Sequence, residues 1–250
     1  MRIFSLQDLL IWKPAPVKQV IGSGVLLAQT KLVIFGAPKT MKSLIAQQLA
    51  FCLGTGSPWL GFSTEMSRIL YVQGEISQIP FRGRVVQMSR NATLPPNALH
   101  FATEFGLKLD RDSGMDELKK GLDSIARRYK APIEVLMVDP LYKFVSDSSE
   151  SSIQRMVDNL DILLDRENIT LVMVHHSRKA QLTSSGAVVD MGGAELRGPL
   201  IEQWADSIIR VRGDISSDHR VLDFELRNAT SLLNPINIEL DRKRLWFNTV

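Results

Sequence analysis

Gly36, Ala37, Pro38, Lys39, Thr40, Met41, Lys42 and Ser43 read G-x-x-x-x-M-K-S, one residue away from a phosphate-binding P-loop. Backbone N–H groups of such a loop, opening onto a helix N-terminus, cradle phosphate oxygens. Lys42 is placed to reach terminal phosphates, and the Ser43 hydroxyl to hold Mg²⁺. The pattern expects glycine where Met41 stands, because glycine relieves crowding where backbone approaches phosphate. A methionine there requires an altered loop or weakens binding. The alternative is a chance match in an ordinary turn, so context must decide.

Two acids and a histidine pair supply that context. Asp139 closes the apolar run Val135-Leu136-Met137-Val138, a Walker B pattern whose carboxylate binds Mg²⁺ directly or through water. Its rival role is capping an Asp-Pro turn. Glu75 follows the run Ile69–Gln73 and can accept a proton from water attacking a γ-phosphate; otherwise it is an acid at a helix start. His175 and His176 end Val172-Met173-Val174, where a polar side chain can donate to the γ-phosphate and sense its loss. Neighbours on a strand face opposite sides, so one of them reaches the nucleotide and the other packs. Four histidines and one cysteine without ligand spacing argue against zinc. Arg197 follows the polar, Gly/Ser-rich stretch 177–195, which reads as a long mobile loop. On residue physics alone it is a solvated arginine; inserted into a neighbour's site it would be an arginine finger.

These side chains need a scaffold that gathers strand ends. Lys31–Phe35 reads as a buried strand and Leu44–Leu53 as a helix, broken at Gly54–Pro58. Further strands are predicted at 68–73, 99–103, 135–138 and 169–174, with helices at 79–90, 115–129 and 150–168. From Ala205 onward the chain is strand-rich: 208–211, 221–226, 236–240 and 245–247. Strands alternating with helices imply an α/β fold, a mostly parallel sheet covered on both faces. Ligands then collect at the C-terminal strand ends. With no repeat and no linker, residues 1–250 read as one domain.

Bulk composition agrees. The 250 residues are 44% apolar, enough for a large core, and the formal charge of +3 permits a nucleic-acid partner without demanding one. The single cysteine, Cys52, sits in an apolar stretch and reads as a core residue in a reducing cytoplasm. No run approaches the roughly 20 apolar residues of a membrane span, and the N-terminus lacks a signal-peptide pattern. A soluble cytoplasmic protein is expected.

In order, G-A-P-K-T-M-K-S, Y-V-Q-G-E, V-D-P-L-Y-K-F, M-V-H-H-S-R-K and L-R-G-P-L resemble the RecA-like ATPases of the RepA type. These are hexameric plasmid replicative helicases, with related phage and mobile-element ATPases. The resemblance spans roughly residues 20–212 and runs into the C-terminal strands at 206–250. It implies ATP and Mg²⁺ as ligands, Lys42 and Ser43 on phosphate and metal, Asp139 as Walker B and Glu75 as base. It also implies His176 as the phosphate sensor and Arg197 as a finger acting across a subunit interface. A homo-oligomeric ring, a hexamer with single-stranded DNA in its channel, would bring loop 177–195 to the DNA, with Arg178 and Lys179 as backbone contacts. Pro199 stands after Arg197-Gly198 where the family commonly has serine. Asp190 and Glu195 make the loop a weak polycation. Two rival expectations stand beside the helicase: a DNA-binding ATPase without unwinding, and a non-hydrolysing P-loop scaffold.

Overall fold

Lys31–Gly36 carries apolar side chains on both faces, which suits only a strand covered from both sides. In the computed structural model it is a central strand, β3. Residues 3–176, 199–229 and 231–250 are described, His176 and Pro199 by backbone alone. A short helix, α1 (Leu6–Ile11), and a two-stranded hairpin, β1 (Gln19–Ile21) and β2 (Leu26–Leu27), precede it. After β3 come α2 (Lys42–Thr55), β4 (Ile69–Gln73), α3 (Gln78–Ser89), β5 (Leu99–Thr103), α4 (Asp112–Tyr129) and β6 (Val135–Asp139). A 3₁₀ turn (Leu141–Lys143), α5 (Glu150–Glu167), β7 (Thr170–His176), α6 (Pro199–Trp204), β8 (Ser207–Arg212), β9 (His219–Leu226), β10 (Ile236–Asp241) and β11 (Trp246–Thr249) complete the order.

The nine-stranded sheet runs β11-β10-β9-β8-β3-β7-β6-β4-β5. Pairings from β5 to β8 are parallel, and those of β8 with β9, β9 with β10 and β10 with β11 are antiparallel. The predicted mostly parallel α/β sheet is therefore the observed one. The antiparallel end follows from short connections: β9 and β10 return beside their predecessors, whereas a parallel neighbour needs a crossover.

Alternation along the strands divides the core into two layers. Leu32, Ile34, Tyr71, Met137, Val172 and Val174 face one cluster with Ile45, Leu49 and Leu53 of α2. Val33, Phe35, Leu70, Leu136, Leu171 and Met173 face the other, with Leu118 and Leu122 of α4 and Met156 and Leu160 of α5. Helix α2 is buried nearly all round, so its sequence shows no polar stripe. Gln48 on α2 exchanges two hydrogen bonds with the backbone of Phe247, 2.7 and 2.9 Å, and pins β11 to the helix. Cys52 is buried, and desolvation pushes its thiol up to about 12, so it is a packing group as expected. Among the described residues no helix is long and apolar enough to cross a membrane.

The predicted elements stand with shifted ends; α2 begins at Lys42 rather than Leu44, and α4 at Asp112 rather than Met115. The α1 helix, the β1–β2 hairpin and α6 went unpredicted, being too short for a period to register. The predicted loop 177–195 lies outside the described residues.

Gly36 ends β3 with φ +156°, and a Cβ there would stand 2.4 Å from the carbonyl oxygen of Val211 on β8. Gly36→Ala is expected to cost at least about 2 kcal/mol of stability by forcing β3 and β8 apart. Urea unfolding checks this; an unchanged midpoint would contradict the packing described.

Candidate nucleotide site

The P-loop starts where β3 stops. Lys39 and Met41 take left-handed backbone angles, φ +68° and +66°. Met41 is the N-cap of the 14-residue α2 and no side chain caps that helix end. The Leu44 N–H returns to the Met41 carbonyl at 3.0 Å, which leaves the Lys42 and Ser43 N–H groups for an outside acceptor, and the helix dipole favours an anion there. The left-handed angle at Met41 is the structural reason the pattern asks for glycine. The difficulty lies in the residue's own backbone, not only in the approach of phosphate. Part of the cost is offset because the Met41 side chain packs against the core.

Lys42 is 2% exposed. Its Nζ donates to the carbonyl of Ala37 at 2.6 Å and to the Thr40 hydroxyl at 3.4 Å. Desolvation lowers its pKa to about 8, opposed by the charges of Asp139 and Glu75. Polyphosphate favours the ammonium, so binding must raise that value. Below about pH 8 the proton is already present; above it, binding draws one in, and affinity falls as pH rises. Calorimetry at pH 8.5 in two buffers of different ionisation enthalpy should show proton uptake on ADP binding; none would contradict the buried ammonium.

Asp139 ends β6, 3% exposed, with both oxygens occupied. Oδ1 accepts from the Ser43 hydroxyl at 3.0 Å and Oδ2 from the Tyr71 hydroxyl at 2.5 Å. Burial raises the Asp139 pKa, and the two hydroxyl bonds oppose the rise. A buried carboxylate beside a serine hydroxyl is a hard oxygen pair of the kind Mg²⁺ prefers, so these residues fit that ion.

Glu75 sits on a shaped turn beyond β4. The buried Gln73 accepts from the N–H groups of Glu75 (3.1 Å) and Ile76 (2.8 Å), and donates to the Ile76 carbonyl and the Thr103 hydroxyl. Gly74 donates to the Asp139 carbonyl at 3.0 Å, which ties the turn to the end of β6. A Cβ on Gly74 would come within 3.0 Å of the Glu104 carbonyl. The exposed Glu75 carboxylate accepts from the Tyr142 hydroxyl at 3.2 Å. Burial, then the Glu75 charge, push that phenol up to about 12, so it remains a donor.

The profile of the AAA-domain family matches residues 2–181. The chain belongs to that family. Comparison with curated protein sequences gives no match. Among solved structures this AAA domain is similar to "Crystal structure of the RadB recombinase", with TM-score 0.61 and 16% identity over 90% of this chain and 92% of that one. It is also similar to "The Structure Of A DnaB-Like Replicative Helicase And Its Interactions With Primase", with TM-score 0.69 and 10% identity over 97% of this chain and 66% of that one. The fold is that of the RecA-like P-loop ATPases.

Of the residues singled out in the sequence, the AAA domain brings Lys42, Ser43, Asp139 and Glu75 to the C-terminal ends of β3, β6 and β4. His175 is buried with its ring tilted against Phe35, 6.1 Å between centroids. The backbone of His176 is level with Gly36 in the β3–β7 pairing. The His176 side chain, Arg178, Lys179 and Arg197 lie outside the described residues. Sequence reading missed Gln73, Tyr71 and Tyr142. A polar residue at the end of an otherwise apolar strand was the available signal for Gln73. Tyr71→Phe removes a bond to a buried carboxylate and is expected to cost about 1.5–3 kcal/mol. Chemical denaturation of the apo protein checks this.

Proposed function

We propose that the chain is a Mg²⁺-dependent ATPase, one RecA-like unit of a ring-forming, DNA-associated motor of the RepA replicative-helicase type. One observation carries the reading: Lys42, Ser43 and Asp139 converge at an uncapped helix N-terminus, with Glu75 tethered beside them by Gly74. Bound Mg²⁺ would supply charge neutralisation to the polyphosphate. Ser43 and Asp139 would hold it. Lys42 binds terminal phosphate oxygens and stabilises charge that builds there in the transition state. Glu75 orients the attacking water and takes its proton, with Tyr142 fixing the carboxylate through Oε1. His176 is assigned to sensing the γ-phosphate. Arg197 is assigned to the neighbouring site in a hexamer, and Arg178 and Lys179 to single-stranded DNA. The compartment proposed is the cytoplasm.

The test is steady-state ATP hydrolysis at several protein concentrations, with and without single-stranded DNA. Turnover that rises with protein concentration and with DNA supports the ring-shaped motor, because a finger in trans requires assembly. Turnover independent of both would remove the ring and the DNA from the reading. A second reading, a DNA-binding ATPase that does not unwind, draws support from the likeness to the RadB recombinase. Strand separation on a forked duplex distinguishes the two. Absence of any turnover would leave the non-hydrolysing scaffold, which the left-handed methionine at 41 favours.

A further inference from the structure

A non-glycine residue stays left-handed only where its surroundings over-determine it. The peptide before Met41 is met by a side chain from the C-terminal strands. Arg220 on β9 is 1% exposed, and its Nε donates to the carbonyl of Thr40 at 3.1 Å. Its Nη1 donates to the carbonyls of Asp214 at 3.0 Å, Ser217 at 2.7 Å and His219. Among the described residues Arg220 makes no ion pair with a carboxylate, and its buried Nη2 meets no acceptor. Gly213 clears its path, since a Cβ there (φ +143°) would stand 3.0 Å from Arg220 Cδ. A rigid guanidinium directed at main-chain carbonyls, one of them in the P-loop, is a device for holding backbone.

The peptide joining Thr40 to Met41 is trans, so its C=O and N–H point in opposite directions. Drawing the Thr40 oxygen toward the buried Arg220 turns the Met41 N–H away from it. We propose that Arg220 is a positioning residue for the nucleotide loop, bolting the Thr40–Met41 peptide so that methionine can hold the left-handed position glycine would otherwise supply. The inference rests on the ATP-binding reading of the loop. It makes the C-terminal antiparallel strands part of the nucleotide site without contact to nucleotide.

A four-protein cycle tests it: parent, Arg220→Lys, Met41→Gly and the double variant, with Arg220→Gln in parallel should the lysine variant not fold. Mg²⁺-ADP affinity by calorimetry and apo stability by denaturant are both measured. Arg220→Lys is expected to weaken ADP about tenfold in the parent, the weight of one strained residue. In the Met41→Gly background it should weaken ADP by less than about threefold, because glycine holds the angle unaided. Equal losses in both backgrounds, as a purely structural arginine would give, overturn the proposal, as does no loss in either. A parent that binds no nucleotide sinks the ATPase reading instead. The apo cycle then decides the bolt: coupling between positions 41 and 220 retains it, and additive effects remove it.

Discussion

Lys42→Ala is expected to lower kcat/KM for ATP by at least about 10²-fold while leaving the apo protein as stable as its parent or more so. The first half follows from position. Lys42 opens α2, its ammonium is held over the loop by the Ala37 carbonyl and the Thr40 hydroxyl, and phosphate oxygens are better partners for it than either. Removing a pre-positioned charge donor costs about 10²–10³ in rate when charge develops opposite it. The second half follows from burial. Taking an ammonium out of water is unfavourable, which is what lowers its pKa to about 8, and alanine abolishes that cost. A functional lysine placed against stability is the signature to look for. ATPase assays with a parallel thermal melt measure both; turnover within threefold of the parent, or a large fall in melting temperature, would argue against this role.

Glu75→Gln is expected to reduce kcat by about 10²–10⁴ with nucleotide affinity nearly unchanged, the range for loss of a positioned general base. The amide keeps the shape of the carboxylate, and its oxygen can still accept from Tyr142. The turn itself is built by the Gln73 side chain, which accepts from the backbone N–H groups of Glu75 and Ile76, and by the Gly74 N–H, so a change in the Glu75 side chain leaves it intact. Glu75 is exposed and packs no core, so stability should stay within about 0.5 kcal/mol. Pre-steady-state turnover and ADP calorimetry separate the two effects. If affinity falls with kcat by the same factor, Glu75 holds the metal or the phosphates and is not the base.

Lys42 and Ser43 open α2, Asp139 ends β6, and Glu75 stands on a turn of its own beyond β4. Each part comes from a different strand end, and the sheet keeps them in register through parallel pairs such as Gln73 with Asp139 and Gly36 with His176.

What the sequence determined by itself was local. The apolar run ending at Gly36, the G-x-x-x-x-M-K-S loop and the helix behind it are contiguous, so their presence and order could be read from neighbouring residues. Strands β4, β6 and β7 were legible because sheets covered on both faces require uninterrupted apolar runs, and the polar residues at or just beyond their ends, Glu75, Asp139 and the His175–His176 pair, were the candidates singled out. The short elements α1, β1, β2 and α6 were not legible, since two to six residues show no period. The tertiary structure alone decided the partners. Tyr71 reaches Asp139 because β4 and β6 pair with Tyr71 opposite Met137, which places residues 71 and 139 as same-face diagonal neighbours. A slip of one residue would turn Tyr71 to the opposite layer. Arg220 reaches Thr40 because β9 lies next to β8 and β8 next to β3, an order set by which strands bury best together. Neither pairing leaves a trace in composition or spacing, because register and strand order are settled by the packing of the whole sheet.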